Sequence, residues 1–268
     1  MSALARSARA FPTLLRVGVA EAVAYRAELL VWLLTTTLPL VMLALWSEVA
    51  RDGPVAGYSG PDFVAYYLAA FVVRQLTGVW VAWDMNRDIK EGTMSMRLLR
   101  PIHPLVAYAA ENLAVLPMRL MLALPAALIA LLIAGRDHVT HDPLLLLAFL
   151  LATGGGWLLA FGLMSIVGAL AFYIESTTLV FEIWFGLFTL CSGYLVPLSL
   201  FPAWLRIPLD YLPFRPLLGL PVEILIGRLD RAQALAGLAI EAGYIVLAFA
   251  AGIALFNRGS RRYSAYGT

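Results

Sequence analysis

Six apolar runs, 29–50, 62–83, 105–134, 144–173, 177–197 and 233–256, alternate with short polar stretches along the chain. About twenty consecutive apolar residues carry one helix across a bilayer, and each run reaches that length. Inside hydrocarbon every backbone N–H and C=O must find a partner within its own segment, which makes the runs helices. Membrane strands would show short alternating patterns instead, and these runs are uniformly apolar. The pattern predicts an all-α polytopic membrane protein with six transmembrane helices and a single membrane domain over 1–268.

Ahead of the first run, Phe11, Leu14, Leu15, Gly18, Val19, Ala22 and Val23 recur at three-to-four spacing, with Thr13, Arg16 and Glu21 elsewhere. Residues 1–28 therefore read as an amphipathic helix in the membrane interface, or else as the inner end of a long tilted first span. The stretches 51–61 and 135–143 are short loops, and 174–176 is a mere turn. The segment 197–231 holds Pro197, Pro202, Pro208, Pro213, Pro216 and Pro221 among Leu, Phe, Trp and Tyr. Such proline density breaks any full-length helix, yet the stretch is too apolar for a solvated loop. It predicts short helices dipping into or lying on the outer leaflet, packed against protein and capping the pathway.

Composition agrees: 62% of the 268 residues are apolar, 13% are charged, and the formal charge is +2. That balance gives no support to nucleic-acid binding. The N-terminal stretch lacks the short apolar core and small-residue cleavage site of a signal peptide. With the N-terminus in the cytoplasm, the inner segments hold Arg6, Arg9, Arg16, Arg26, Arg87, Lys90, Arg97, Arg100, Arg258, Arg261 and Arg262. The outer ones hold Arg51, Arg136, Arg206, Arg215, Arg228 and Arg231. The excess predicts both termini in the cytoplasm.

Several chemistries have no candidates. Lys90, the only lysine, lies in Ile89-Lys90-Glu91 and belongs to no phosphate-binding loop. The three histidines form no zinc-protease motif, and no span offers a serine–histidine pair. His138 and His141, flanked by Asp137 and Asp142, read as a polar turn ahead of a surface metal site. The lone Cys191 rules out an internal disulfide. No enzyme, cofactor or metal site is expected.

Four charges read as lying at membrane depth: Arg74, Arg119, Glu182 and Glu241. Each costs a few kcal/mol at the bilayer centre, so they are expected to face protein or water and to pair, Arg74 with Glu182 being one option. They read equally as a polar lining for a substrate path and as structural pairing within the bundle. Gly154-Gly155-Gly156 in the fourth run reads as a close helix approach, or else as a hinge.

The inner segment 84–104 is the most specific. Ile89-Lys90-Glu91-Gly92-Thr93-Met94, then Arg97-Leu98-Leu99-Arg100-Pro101 and His103-Pro104, resembles the cytoplasmic signature of permeases of the type-2 class of ABC exporters. The tail Arg261-Arg262-Tyr263-Ser264-Ala265-Tyr266-Gly267 and the early Tyr25-Arg26-Ala27-Glu28 are similar to one six-span bacterial branch of that class. The resemblance implies half of an export channel in the bacterial inner membrane. A second permease, like or unlike, would complete it, and a separate ATP-binding cassette subunit would bind ATP and Mg. It further implies that Arg87, Asp88, Lys90, Glu91, Gly92, Met94, Arg97, Leu98 and Arg100 couple to that ATPase. The residues themselves suit docking: a charged first half that stays wet, then adaptable methionines and leucines. A plain solvated loop is the other reading. An ion-coupled secondary transporter and a membrane assembly factor are the alternative functions, and no inverted repeat supports the former.

Overall fold

The computed structural model describes residues 3–24, 37–133 and 138–263. The first helix, α1 (Ala3–Ala24), presses Gly18 against Ala114, where an added Cβ would meet the Ala114 Cβ at 2.7 Å. Phe11, Leu14 and Leu15 are half-buried on the same side, while Val19 and Val23 of the expected apolar stripe are exposed. Residues 29–36, the start of the first run, lie outside the described residues. Its remainder forms α2 (Leu38–Val49).

The second run is not one helix. It comprises α3 (Gly60–Thr77), a break at Gly78–Trp80, and α4 (Val81–Lys90), which carries the helix well past the expected end at Trp83. Ser59 and Asp62 start α3 with a reciprocal capping box, and Pro61 occupies the first turn, where no N–H is needed. A turn at Gly92 leads to the short α5 (Met94–Leu98). The third run is α6 (Pro104–Ala114) and α7 (Leu116–Ile133). Pro117 lies at the join, having no N–H to give to the preceding turn.

Helix α8 (Pro143–Ala169) is the axis of the molecule, packing against α3, α4 and the last helix. Asp142 starts it by accepting from Leu144 N at 3.0 Å. The fifth run is shorter than expected. Helix α9 (Thr178–Cys191) stops at Ser192–Gly193, where Gly193 has φ +89°. The carbonyls freed there are taken up by neighbours: Tyr66 Oη donates to Gly193 O and Tyr67 Oη to Leu195 O, each at 2.8 Å. Trp46 Nε1 also donates to Leu195 O, at 3.3 Å.

Between 197 and 231 come α10 (Ala203–Asp210) and α11 (Gly219–Leu225), with single 3-10 turns before each. The prolines limit their length. Arg215, half-buried beside α11, donates to Glu223 Oε2 at 2.6 Å. Finally α12 (Arg231–Ser260) opens on a second capping box, Asp230 with Gln233, and runs along α8.

By length and composition four described helical stretches, two of them interrupted, can cross a membrane: Gly60–Lys90, Pro104–Ile129, Pro143–Phe172 and Arg231–Ser260. Leu38–Val49 and Thr178–Cys191 are shorter apolar helices. The most apolar window of Gly60–Lys90 is 78% buried and that of Arg231–Ser260 only 17%, so α3 is the core and α12 the outer wall. Glycines set the spacing of that wall: a Cβ on Gly162 would lie 2.9 Å from Ala248 Cβ. In the triple glycine, Gly155 faces the Glu241 carboxyl and Gly156 the Pro216 carbonyl, while Gly154 faces open space. The close-approach reading of that triplet therefore has a physical basis in two of its three members.

Contacts at the two ends of the bundle are distinct. One end joins 84–104 to the last turn of α12 and the residues just after it: Tyr263 Oη donates to Ile89 O at 3.2 Å, and His103 Nε2 and Asn257 share a hydrogen bond at 3.1 Å. At the other, Asp62 Oδ1 meets Arg228 at 3.2 Å and His138 Nδ1 at 3.1 Å, and Arg231 meets Asp142 at 2.6 Å.

Candidate functional site

The segment 84–104 is an elbow with a built interior. Asp88, on the buried side of α4, is its centre. Its Oδ2 accepts from Arg97 Nε and from Tyr108 Oη, both at 2.6 Å, and its Oδ1 accepts from Thr93 Oγ1 at 3.1 Å. Arg97 then forks onto Glu111 with distances of 2.7 and 3.2 Å, and its guanidinium lies 4.2 Å over the Tyr108 ring. One arginine thus staples α5 to α4 and α6 by a planar, two-pronged contact that lysine could not make. Burial works against the Arg97 charge, but Glu111, Tyr108 and Asp88 outweigh it and hold the guanidinium protonated well above its ordinary value. Gly92, with φ +80°, makes the turn. Met94 fills the space beneath and is fully buried.

Of the nine residues assigned to ATPase coupling, Asp88, Met94 and Arg97 therefore point inward and hold the elbow's shape. Leu98 is half-buried. The outward face carries Arg87, Lys90, Glu91 and Arg100, joined by Met96 at 64% and Leu99 at 80% exposure. Arg87 makes only a local pair with Asp84, at 3.1 Å. Charges surround two exposed apolar side chains, a composition typical of a docking face.

The second arrangement lies at mid-bundle, at the Gly78–Trp80 break. Two residues of the third run hold the broken backbone. Asn112 Oδ1 accepts from Trp80 N at 3.1 Å while its Nδ2 donates to Tyr108 O at 3.0 Å. Arg119 Nη1 donates to the carbonyls of Gly78 and Gln75, the latter at 3.5 Å. A cation over the open carbonyl end of α3 also opposes the negative pole of that helix. Gly78, Val79 and Thr77 are buried, as irregular backbone at this depth must be.

Arg74 lies beside Arg119. Both guanidinium heads fall within 3.5 Å of the place a methyl on Gly78 would take. Arg74 lies over the Phe188 ring at 5.0 Å and has Tyr194 as its hydrogen-bond partner, while its Nε is buried without one. The structure does not bring the four intramembrane charges together in pairs. Among the described residues no ion pair joins Arg74, Arg119, Glu182 or Glu241 to one another. Glu182 is exposed on α9. Glu241 is buried against Gly155. Like charges neighbour each other because Arg119 was recruited by backbone carbonyls and not by a carboxylate.

Sequence reasoning missed Asn112, Tyr108, Glu111 and the break itself. Glu111 and Asn112, adjacent polar side chains in a mostly apolar run, were the available signals.

A family model described as ABC-2 family transporter protein matches residues 27–267. The chain belongs to that family. The match spans nearly the whole sequence, including the elbow, the break and the tail, and it agrees with the resemblance carried by 89–104. Membership makes this chain the membrane component of an ABC transporter, a permease and not itself the catalytic part. No curated protein and no solved structure matches the chain.

Proposed function

We propose that this chain is the membrane-spanning half of an ATP-driven exporter in the bacterial inner membrane. It works with a second permease and receives its energy from a separate ATP-binding cassette subunit that holds ATP and Mg. In this reading six spans cross the bilayer, with the run that contains α2 as the first and α9 with the turn after it as the fifth. Both termini and the elbow are cytoplasmic, α1 lies in the inner interface, and α10 and α11 cap the outer end of the pathway.

The observation that carries the proposal is the division of the elbow into a fixed interior and a free exterior. A solvated loop has no need of a carboxylate buried under an arginine, a tyrosine and a threonine. That interior makes α5 rigid, and a rigid element can transmit a push from a moving partner into α4 and α6. The exterior presents Arg87, Lys90, Glu91, Met96, Leu99 and Arg100, which supply charge selection at the rim and apolar contact at the centre.

Reversing two charges, Arg87→Glu with Glu91→Arg, tests it. Neither side chain belongs to the interior network, so insertion and thermal unfolding should be unchanged. Co-purification of the ATP-binding subunit should fall, and with it substrate-stimulated ATP hydrolysis. Unaltered association in that variant would refute docking through this face.

A further inference from the structure

Arg74 and Arg119 pose an electrostatic problem that the described chain leaves unsolved. Two permanent cations stand side by side, Arg74 at 8% and Arg119 at 7% exposure, at mid-bundle, and no carboxylate among the described residues pairs with either. Removing charge from water without a counter-charge is costly, more so beside a like charge. Arg119 gains carbonyl partners in return. Arg74 keeps an unsatisfied Nε.

That atom belongs to a side chain lining a narrow cleft whose other walls include Thr77, Trp80, Phe181, Trp184 and Phe188. A second donor in the same cleft, Trp184 Nε1, is likewise buried without a partner. Two unsatisfied donors and a net positive field call for an acceptor carrying negative charge. The remaining walls are aromatic and aliphatic, with Val79, Ala160, Met164 and Leu217 beside the rings, and suit an apolar body. The wall that bears Phe181, Trp184 and Phe188 is α9, whose opposite side is exposed. The cleft as it stands has room for little more than one water, so an occupant requires that wall to shift outward.

We propose that this cleft binds the anionic oxygen head of an amphiphile, a phosphate or carboxylate on an apolar body, with Arg74 and Trp184 as its direct donors. Arg119 strengthens the field and fixes the break that presents Arg74. The inference rests on the permease reading for its meaning, since it names the class of molecule that meets the pathway midway. A membrane lipid and an exported cargo share this chemistry.

The test uses the full chain in neutral maltoside detergent, with dodecyl phosphate as probe and dodecanol as its uncharged counterpart. Dodecyl phosphate should raise the unfolding temperature saturably, and dodecanol should not. Arg74→Gln should weaken probe binding at least tenfold, Arg74→Lys less, and Trp184→Phe severalfold. Equal effects of dodecyl phosphate and dodecanol would overturn the proposal, as would unchanged affinity in Arg74→Gln. Should Arg74→Gln not fold, Trp184→Phe decides, and unchanged affinity there overturns it. Nanodiscs separate the two sources of the head. If phosphatidylglycerol discs abolish the response that phosphatidylcholine discs preserve, the occupant is lipid, and a response equal in both assigns the site to cargo. A chain that binds the probe but recruits no ATP-binding subunit would refute the permease reading alone. One that recruits the subunit but ignores the probe would refute the site alone.

Discussion

Asp88 is a centre of the elbow, because three donors from three places in the chain meet on its two oxygens. Asp88→Asn keeps its shape but removes the charge and presents an amide donor to one of them. Leaving buried hydrogen-bonding groups unsatisfied costs about 1–3 kcal/mol, more where a charge is involved. The variant should therefore unfold at lower temperature, with Arg87→Gln as a control expected to stay within about 0.5 kcal/mol of the parent. Equal melting of all three proteins would deny Asp88 its place. Sequence alone does not separate Asp88 from Arg87, one position apart. Their difference is set by Tyr108 and Glu111, which lie beyond the turn and meet Asp88 and Arg97 only once α6 has packed.

Asp142, at the opposite end, gives a pH-dependent counterpart. Its hydrogen bond with Arg231, helped by the Leu144 amide, holds its carboxyl below the ordinary aspartate value. A lowered folded-state value contributes stability that is complete above the unfolded-state value of about 3.9 and is lost as the pH falls through the folded one. Parent and Asp142→Asn should thus differ in melting temperature at about pH 6 and converge under strongly acid conditions. A difference that persists unchanged into acid would show that the carboxylate is not responsible.

At the scale of elements, apolar run length locates the spans but not their interruptions. The second run has only Gly78 as a warning of its break, since no proline stands there. The break is imposed from outside by Asn112 and Arg119, some thirty to forty residues later, and no local pattern encodes it. The end of α9 is similar: the tyrosines of α3 take the carbonyls of Gly193 and Leu195 just beyond it, so non-helical backbone is satisfied there while the apolar run goes on to Pro197. Glycines are more legible, but only as a class. Gly162→Ala should destabilise by about 1–3 kcal/mol, because the new methyl meets Ala248 Cβ, which has no rotamer with which to yield. Gly154→Ala meets nothing and should be neutral or stabilising by up to ~1 kcal/mol through better helix propensity. Thermal unfolding of the two variants should move in opposite directions or, at the least, differ by more than the error. Equal shifts would mean that α8 and α12 are not in contact at Gly162.

For the whole molecule, two independent lines bear on which way it sits in the membrane. The basic residues divide eleven to six between the segments read as inner and outer, which favours a cytoplasmic home for the richer set. The structure groups the segments without reference to charge: 84–104 joins the end of α12, while Asp62, His138, Asp142, Arg228 and Arg231 meet at the far end. The two groupings coincide. That coincidence is not trivial, because a chain with one fewer crossing would put 138–142 beside the elbow. Reporter fusions at Thr268 and between His138 and Asp142 should consequently report opposite sides of the membrane, with the C-terminal fusion active in the cytoplasm. The charge line also predicts how the orientation fails. Replacing Arg258, Arg261 and Arg262 together by Gln removes three of the eleven inner charges and should produce a minority of inverted C-terminal fusions, while the distant fusion stays where it is, held by earlier spans. Two fusions on one side in the parent chain would overturn the alternating arrangement, however well the ends pack.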